Sequence, residues 1–195
     1  MGTLQVHLGQ EFLKFAVECE AFRFGEFTLK DGSKSDIFFD SSSFNSGNRL
    51  RKLSRFLAKA IQLRIPECNL IYGSAYKGIP LVSTTAIALS EQHGVDLPFA
   101  FNRKEAKTHG EGGNIVGAPL AGDVVVIDDV MTAGTAIRES MSILNESGAR
   151  GAGVVIGLDR CERGDGERSA VQQVEQDWGL MVVSVVSVSY THLRA

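Results

Sequence analysis

The chain reads as an α/β protein: a single domain with a central parallel sheet, helices on both faces and a small appended flap. Three observations predict this. Apolar runs with no polar alternation occur at CNLIYG (68–73), VVVID (124–128) and GVVIGLD (153–159), as in strands buried on both faces. Helical spacings lie between them, and strand–helix–strand order with such strands defines a parallel sheet covered on both sides. Near the start, FRFGEFTLKDGSKSDIFFD (22–40) reads as two short strands around Asp31-Gly32, the pattern of a hairpin.

The elements follow in order. Leu8, Phe12, Phe15, Ala16 and Cys19 recur at helical spacing and predict a first amphipathic helix. After the hairpin, SSSFNSGNR (41–49) reads as a loop and about 50–63 as a basic-faced helix. The CNLIYG strand runs into SAYKGIP (74–80) and a helix to about His93, with Pro80 near the first helical position, where its missing N–H costs nothing. PFAFN (98–102) is a short strand. RKEAKTHGEGGNIVGAPLAG (103–122) is glycine-rich and charged with almost no periodicity, so it is expected to be a long functional loop. Behind VVVID, a helix over about 136–145 buries Ile137, Met141 and Leu144 and ends at Gly148. The expected organisation is one domain over 1–195, with a hood at about 1–40, a core at about 41–186 and an atypical tail at 187–195, where SVSYTHLRA has no capped amphipathic pattern.

Composition narrows the function classes. With 44% hydrophobic and 22% charged residues in 195, the chain can bury a core without staples. A formal charge of −3 supplies no global basic field for nucleic acid, so any polyanion must meet local positive charge. No run of eighteen apolar residues predicts a membrane span, and the start MGTLQVHLGQEFLKF has no secretory pattern. Cys19, Cys68 and Cys161 are odd in number and far apart, which fits neither a disulfide framework nor a zinc site. A cytoplasmic protein with no nucleic-acid or membrane partner is expected.

The chemistry is concentrated in VVVIDDVMTAGTAIRES (124–140). Asp128 and Asp129 end a buried strand, where ligands of open parallel sheets sit. The turn Thr132-Ala133-Gly134-Thr135 then starts a helix whose free N–H groups and dipole favour a phosphate. Carboxylates that accept from hydroxyls beside a phosphate cradle suit a ribose 5-phosphate. One Asp here would read as a cap or a solvated charge; two at a buried strand end favour the functional reading. Direct magnesium binding is the weaker alternative, because the carboxylates do not recur at helical spacing.

This stretch resembles the phosphoribosyl diphosphate (PRPP) signature of the type I phosphoribosyltransferases: a hydrophobic strand, two acids, and a Thr/Gly/Thr turn. FGEFTLKDGSKSDIFFD, YGSAYKGIPL, FNRKEAKTHGEGGNIVG and GLDRCERG are similar to bacterial orotate phosphoribosyltransferases over roughly residues 10–186. The resemblance implies the type I phosphoribosyltransferase fold. It also implies transfer of the phosphoribosyl group from PRPP to orotate, giving orotidine 5′-monophosphate and pyrophosphate in pyrimidine synthesis, with magnesium carried mainly by PRPP and no direct protein metal site.

It further implies roles for particular residues. Asp128 and Asp129 hold the ribose hydroxyls, the turn Thr132, Ala133, Gly134, Thr135 and Ala136 holds the 5′-phosphate, and Val130 and Met131 also belong to the PRPP site. Tyr76, Lys77 and Lys30 lie on the pyrophosphate side. Arg103, Lys104, Lys107 and His109 belong to a mobile loop over the diphosphate, and Lys77, Lys107 and His109 join the acid pair in catalysis. Phe38, Phe39, Thr132 and Arg160 contact orotate. It implies, too, a homodimer whose mobile loop serves the neighbour's site.

On the residues alone, at least one of Phe38 and Phe39 reads as core, since neighbours on a strand face opposite ways. A phosphoribosyltransferase for another base, or a PRPP-sensing regulator of the same fold, are the alternatives. The 103–113 loop with Phe38, Phe39 and Arg160 argues against the first. The acidic net charge and the absence of a helix-turn-helix extension argue against the second.

Overall fold

A computed structural model describes residues 2–28, 32, 34–107, 113–161 and 168–188. Lys30 and His109 lie outside the described residues. The chain opens with α1 (Gly2–Glu18) and a hairpin of β1 (Phe22–Thr28) and β2 (Lys34–Phe39). A single 3-10 turn (Ser41–Ser43) follows, then α2 (Gly47–Arg64), β3 (Leu70–Gly73) and α3 (Gly78–His93). Next come β4 (Phe99–Lys107), β5 (Gly113–Gly117), β6 (Asp123–Met131) and α4 (Thr135–Glu146). The last elements are β7 (Arg150–Asp159), α5 (Ala170–Trp178) and β8 (Val182–Ser187).

The main sheet has six strands in the order β5-β4-β3-β6-β7-β8. All neighbouring pairs are parallel except β4–β5. The central stretches of β3, β6 and β7 are apolar because both faces are covered. Val125 and Ile127 of β6 pack in one cluster with α1, α2 and α3, while Val124 and Val126 pack in the other with α4 and α5. Burying each such side chain contributes about 1.5–3 kcal/mol. The β1–β2 hairpin is a separate two-stranded antiparallel sheet. The first helix is not detached with it: Leu8, Phe12 and Phe15 belong to the same core as β6.

Two sequence expectations change. Residues 103–122 are not a loop throughout, because β4 runs on to Lys107 and pairs with β5, with Lys107 opposite Gly113. The outer arm carries Arg103, Lys104 and Glu105, which show no apolar alternation. The tail boundary also moves: Ser187 ends β8, and Val188 beyond it is buried. Residues 189–195 lie outside the described residues.

The topology sets the site. From β3 the chain turns through α3 to β4 on one side, and from β6 through α4 to β7 on the other. Neighbours β3 and β6 therefore diverge at their carboxyl ends, which is the switch point where open α/β sheets bind ligands. Gly73 pairs with Ile127, so the turn after β3 and the two acids after Ile127 stand side by side.

Candidate active site

Each side of the crevice is built tightly. After β3, the chain reverses so sharply into α3 that a Cβ on Gly73 would lie 2.3 Å from the Gly78 carbonyl oxygen. That turn holds Tyr76 and Lys77, and its Ala75–Tyr76 peptide is cis. The Gly78 N–H donates to the Ser74 carbonyl at 2.8 Å, and the Ala75 N–H donates to Asn102 Oδ1 of β4 at 2.8 Å. Across the crevice, Gly134 begins α4 with φ 75°, a left-handed conformation that favours glycine. No side chain caps this helix start. Arg138 braces the turn by donating to the Ala133 carbonyl at 2.7 Å and to Gln173 of α5 at 3.3 Å. Thr132, Ala133 and Thr135 are exposed, Val130 and Ala136 half-buried, and Met131 and Gly134 buried.

Asp128 and Asp129 are both buried. The Asp129 N–H donates to Asp128 Oδ1 at 2.8 Å. Lys77 Nζ lies 2.9 Å from Asp129 Oδ2 and donates to Ser41 Oγ at 3.0 Å, and the Ser41 hydroxyl donates to the same Asp129 oxygen. Three distant segments thus close a ring of hydrogen bonds.

The two carboxyls are driven apart electrically. Burial, and then the charge of Asp129, push the Asp128 carboxyl up to about 7. Burial also opposes the charge on Asp129, but hydrogen bonds from Ser41 and Lys77 hold its carboxyl below the usual carboxylate range. Burial works against the Lys77 ammonium in turn, yet its hydrogen bond to Asp129 and the surrounding carboxylates keep it above the usual lysine value. One acid is held charged beside a cation, and the other can exchange a proton near neutrality.

The remaining expected residues surround this pair. Lys104 Nζ stands 5.3 Å from the centre of the Tyr76 ring, which is 68% exposed. Arg103 follows Asn102 on β4, and its buried Nη1 has no hydrogen-bond partner among the described residues. Lys107 closes the same strand. Arg160 directly follows β7, whose Asp159 pairs with Met131 at the end of β6. Phe39 is buried against Phe44. Phe38 is half-buried, carries the Arg23 guanidinium 5.0 Å above its ring and packs beside Phe27.

Two contributors escaped the sequence reading. Ser41 sits in a run of three serines that reads as loop, and its partner Asp129 is 88 residues away. Asn102 ends a strand-like segment, and nothing local marks the turn it holds. Cys19 and Cys68 are buried; Cys161 is exposed, with its sulfur 3.1 Å from Ser187 Oγ. No helix among the described residues is long and apolar enough to cross a membrane.

A mostly parallel sheet with an acid pair at its switch point, a glycine turn starting the next helix and a separate two-stranded hairpin defines a type I phosphoribosyltransferase. The 1.9 Å crystal structure of the Francisella tularensis orotate phosphoribosyltransferase superposes with a TM-score of 0.85 at 38% identity, covering 93% of this chain and 87% of that one. Among curated relatives, the orotate phosphoribosyltransferase of Pseudomonas fluorescens is 57% identical over 181 residues, 92% of this chain and 85% of the relative. That of Klebsiella pneumoniae is 56% identical over 179 residues, with 92% and 84% covered. The chain belongs to the orotate phosphoribosyltransferase family. No family model matches it.

Proposed function

We propose that this chain transfers the 5-phosphoribosyl group of PRPP to orotate in pyrimidine biosynthesis, releasing pyrophosphate. The observation that carries this reading is the pairing of Lys77 with Asp129 at 2.9 Å across the switch point, beside the uncapped start of α4. A ligand with hydroxyls, a phosphate at one end and a diphosphate at the other matches that pattern of acids, N–H groups and cations.

In the reaction, the bond from the anomeric carbon to the diphosphate oxygen breaks, a ring nitrogen of orotate bonds to that carbon, and the proton which that nitrogen loses passes to the departing pyrophosphate or to solvent. Positive charge develops on the ribose and negative charge on the leaving group. Asp128 and Asp129 accept from the ribose hydroxyls and favour the cationic sugar. The N–H groups of the turn at 132–136 hold the 5′-phosphate, with Val130 and Met131 anchoring the strand end behind it. Lys77, Arg103, Lys104 and Lys107 donate to the diphosphate, where charge grows, with Tyr76, Lys30 and His109 assigned to the same side; a single such donor contributes about a hundred- to thousand-fold in turnover. Arg160 can fork onto the orotate carboxylate, Thr132 adds a hydroxyl, and the Phe38–Phe39 segment lies against the flat base.

Magnesium fits this site as a passenger on PRPP. No group of three ligating side chains converges among the described residues, and Asp129 is already engaged by Ser41 and Lys77. When bound, the ion neutralises charge on the diphosphate. The same reading makes the protein a cytoplasmic homodimer in which the β4–β5 hairpin covers the neighbour's site.

The test is pyrophosphate release by purified protein with PRPP, magnesium and a panel of bases. Orotate is expected to be fastest. Faster release with hypoxanthine, adenine or uracil overturns the assignment.

A further inference from the structure

Ser41 does more than fill a loop. We infer that Ser41 is a positioning residue for Asp129: its hydroxyl fixes the Oδ2 edge of the carboxylate and keeps it fixed when Lys77 turns to the diphosphate. This rests on reading Asp129 as a ribose-binding carboxylate.

The turn that delivers Ser41 is pinned along its length. The Asp40 N–H donates to the Ala21 carbonyl at 2.8 Å, and the Phe44 N–H donates to the Ser41 carbonyl at 3.0 Å. The Asp40 carboxylate accepts the Ser42 N–H at 2.9 Å, and Arg49 donates to the Ser43 carbonyl at 2.8 Å. A hydroxyl on so short a stem, on a backbone held this way, keeps its place.

Lys77 is the opposite case. Its side chain is 60% exposed, whereas that of Asp129 is 7% exposed. A long, solvated ammonium can swing to a diphosphate, but a buried carboxylate cannot be left without a donor at low cost. With Lys77 as its only side-chain donor, Asp129 would compete with the diphosphate for one lysine, and binding one part of PRPP would weaken the grip on another. The Ser41 hydroxyl removes that competition, because it stays on Oδ2 after the lysine departs. The charged groups facing this carboxylate from the neighbouring elements are Asp128 on β6 and Lys77 after β3. Asp40, at the end of the flap, also faces Lys77, and Arg23 of β1 faces Asp40.

Ser41→Thr and Ser41→Val share a branched shape and differ in the hydroxyl. Threonine is expected to match the wild type. Valine is expected to lower kcat/KM for PRPP by about ten-fold, the usual effect of losing one hydrogen bond to a charged group, with KM for orotate unchanged. Ser41→Ala serves in the same assays if the valine variant folds poorly. In parallel, the Asp129 carboxyl is titrated by carbon NMR in the full chain with inorganic pyrophosphate present and is assigned by its absence in Asp129→Asn. Its midpoint should be higher in the hydroxyl-less variants than in the threonine one. Equal PRPP kinetics and equal midpoints with and without the hydroxyl overturn the proposal. If the wild type transfers nothing to orotate, the reading of the reaction falls instead, and the NMR midpoints alone decide the role of Ser41.

Discussion

Asn102 and Ala75 tie together two segments that meet only in space: the Asn102 side-chain oxygen accepts the Ala75 N–H at 2.8 Å. Ala75 lies two residues before Lys77, and Asn102 immediately precedes Arg103 and Lys104. This bond extends the β3–β4 pairing, which ends at Gly73 and Phe101, and helps fix the cations of the β3 turn relative to those of β4. Asn102→Ala is expected to lower kcat/KM for PRPP by about ten-fold, through lost alignment and an N–H left without its partner. The melting temperature should fall by only about 2–4 °C. Asn102→Asp keeps the acceptor but adds negative charge where the diphosphate must sit, so it too should lower kcat/KM. Steady-state kinetics that match the wild type would remove Asn102 from the site.

Asp129→Asn separates chemistry from stability. The amide oxygen can still accept from Ser41 and Lys77, and the like charge beside Asp128 disappears, so the fold should tolerate the change. On the proposed role of Asp129, the ribose then loses a strong acceptor, and turnover should fall on the order of a hundred-fold or more, comparable to losing a key electrostatic group elsewhere. Kinetics and thermal melts on the same preparation decide. A large drop in melting temperature would instead assign Asp129 to the core.

The acid pair also predicts how stability depends on pH. Folding raises the Asp128 carboxyl from its ordinary range to about 7, so the folded chain takes up a proton across that interval. Stability from this group is therefore greatest below the unfolded value and is lost as pH rises toward 7. Asp129 acts oppositely: its contribution is present above the ordinary carboxylate range and lost as pH falls through its lowered value. Asp128→Asn removes the first effect. Relative to the wild type, it should gain on the order of 3 kcal/mol between about pH 4.5 and about pH 7.5 in urea unfolding. A constant difference across that range would contradict the burial of a protonated Asp128. On the proposed role of Asp128 at the ribose, its ionised form is the acceptor, and kcat/KM for PRPP should rise through one ionisation near 7.

How legible each part was follows from what surrounds it. Strands β3, β6 and β7 were readable because helices on both faces make their central positions apolar, as Val124 to Ile127 illustrate. Helix α4 was readable from Ile137, Met141 and Leu144. The arms of β4 and β5 were not, because Arg103 to Lys107 have no apolar alternation to mark a strand. Helix α5 buries only Ala170 and Val174, too little for a periodic signal. Its capping box of Ser169 and Gln172 was the clue available in the sequence. In the site, the acid pair and glycine turn were legible because they are contiguous. The ring through Ser41 and the Asn102 clamp were not, since each joins residues that only the sheet topology brings together.

The proposed sharing of the β4–β5 hairpin between subunits can be tested by mixing. Lys107 closes β4, and Arg103 and Lys104 lie on the same strand. Lys107→Ala spoils the hairpin, and Asp129→Asn spoils the ribose cradle, so each variant alone should be nearly inactive. If the hairpin serves the neighbour, a mixed dimer collects both defects in one site and leaves the other intact. Refolding the two variants together in equal amounts should then recover up to about a quarter of wild-type activity, since half of the dimers are mixed and each has one good site of two. If the hairpin serves its own chain, both sites of every mixed dimer remain defective and nothing is recovered. Light scattering at the working concentration supplies the second arm, because a monomer there would rule out sharing whatever the mixing kinetics.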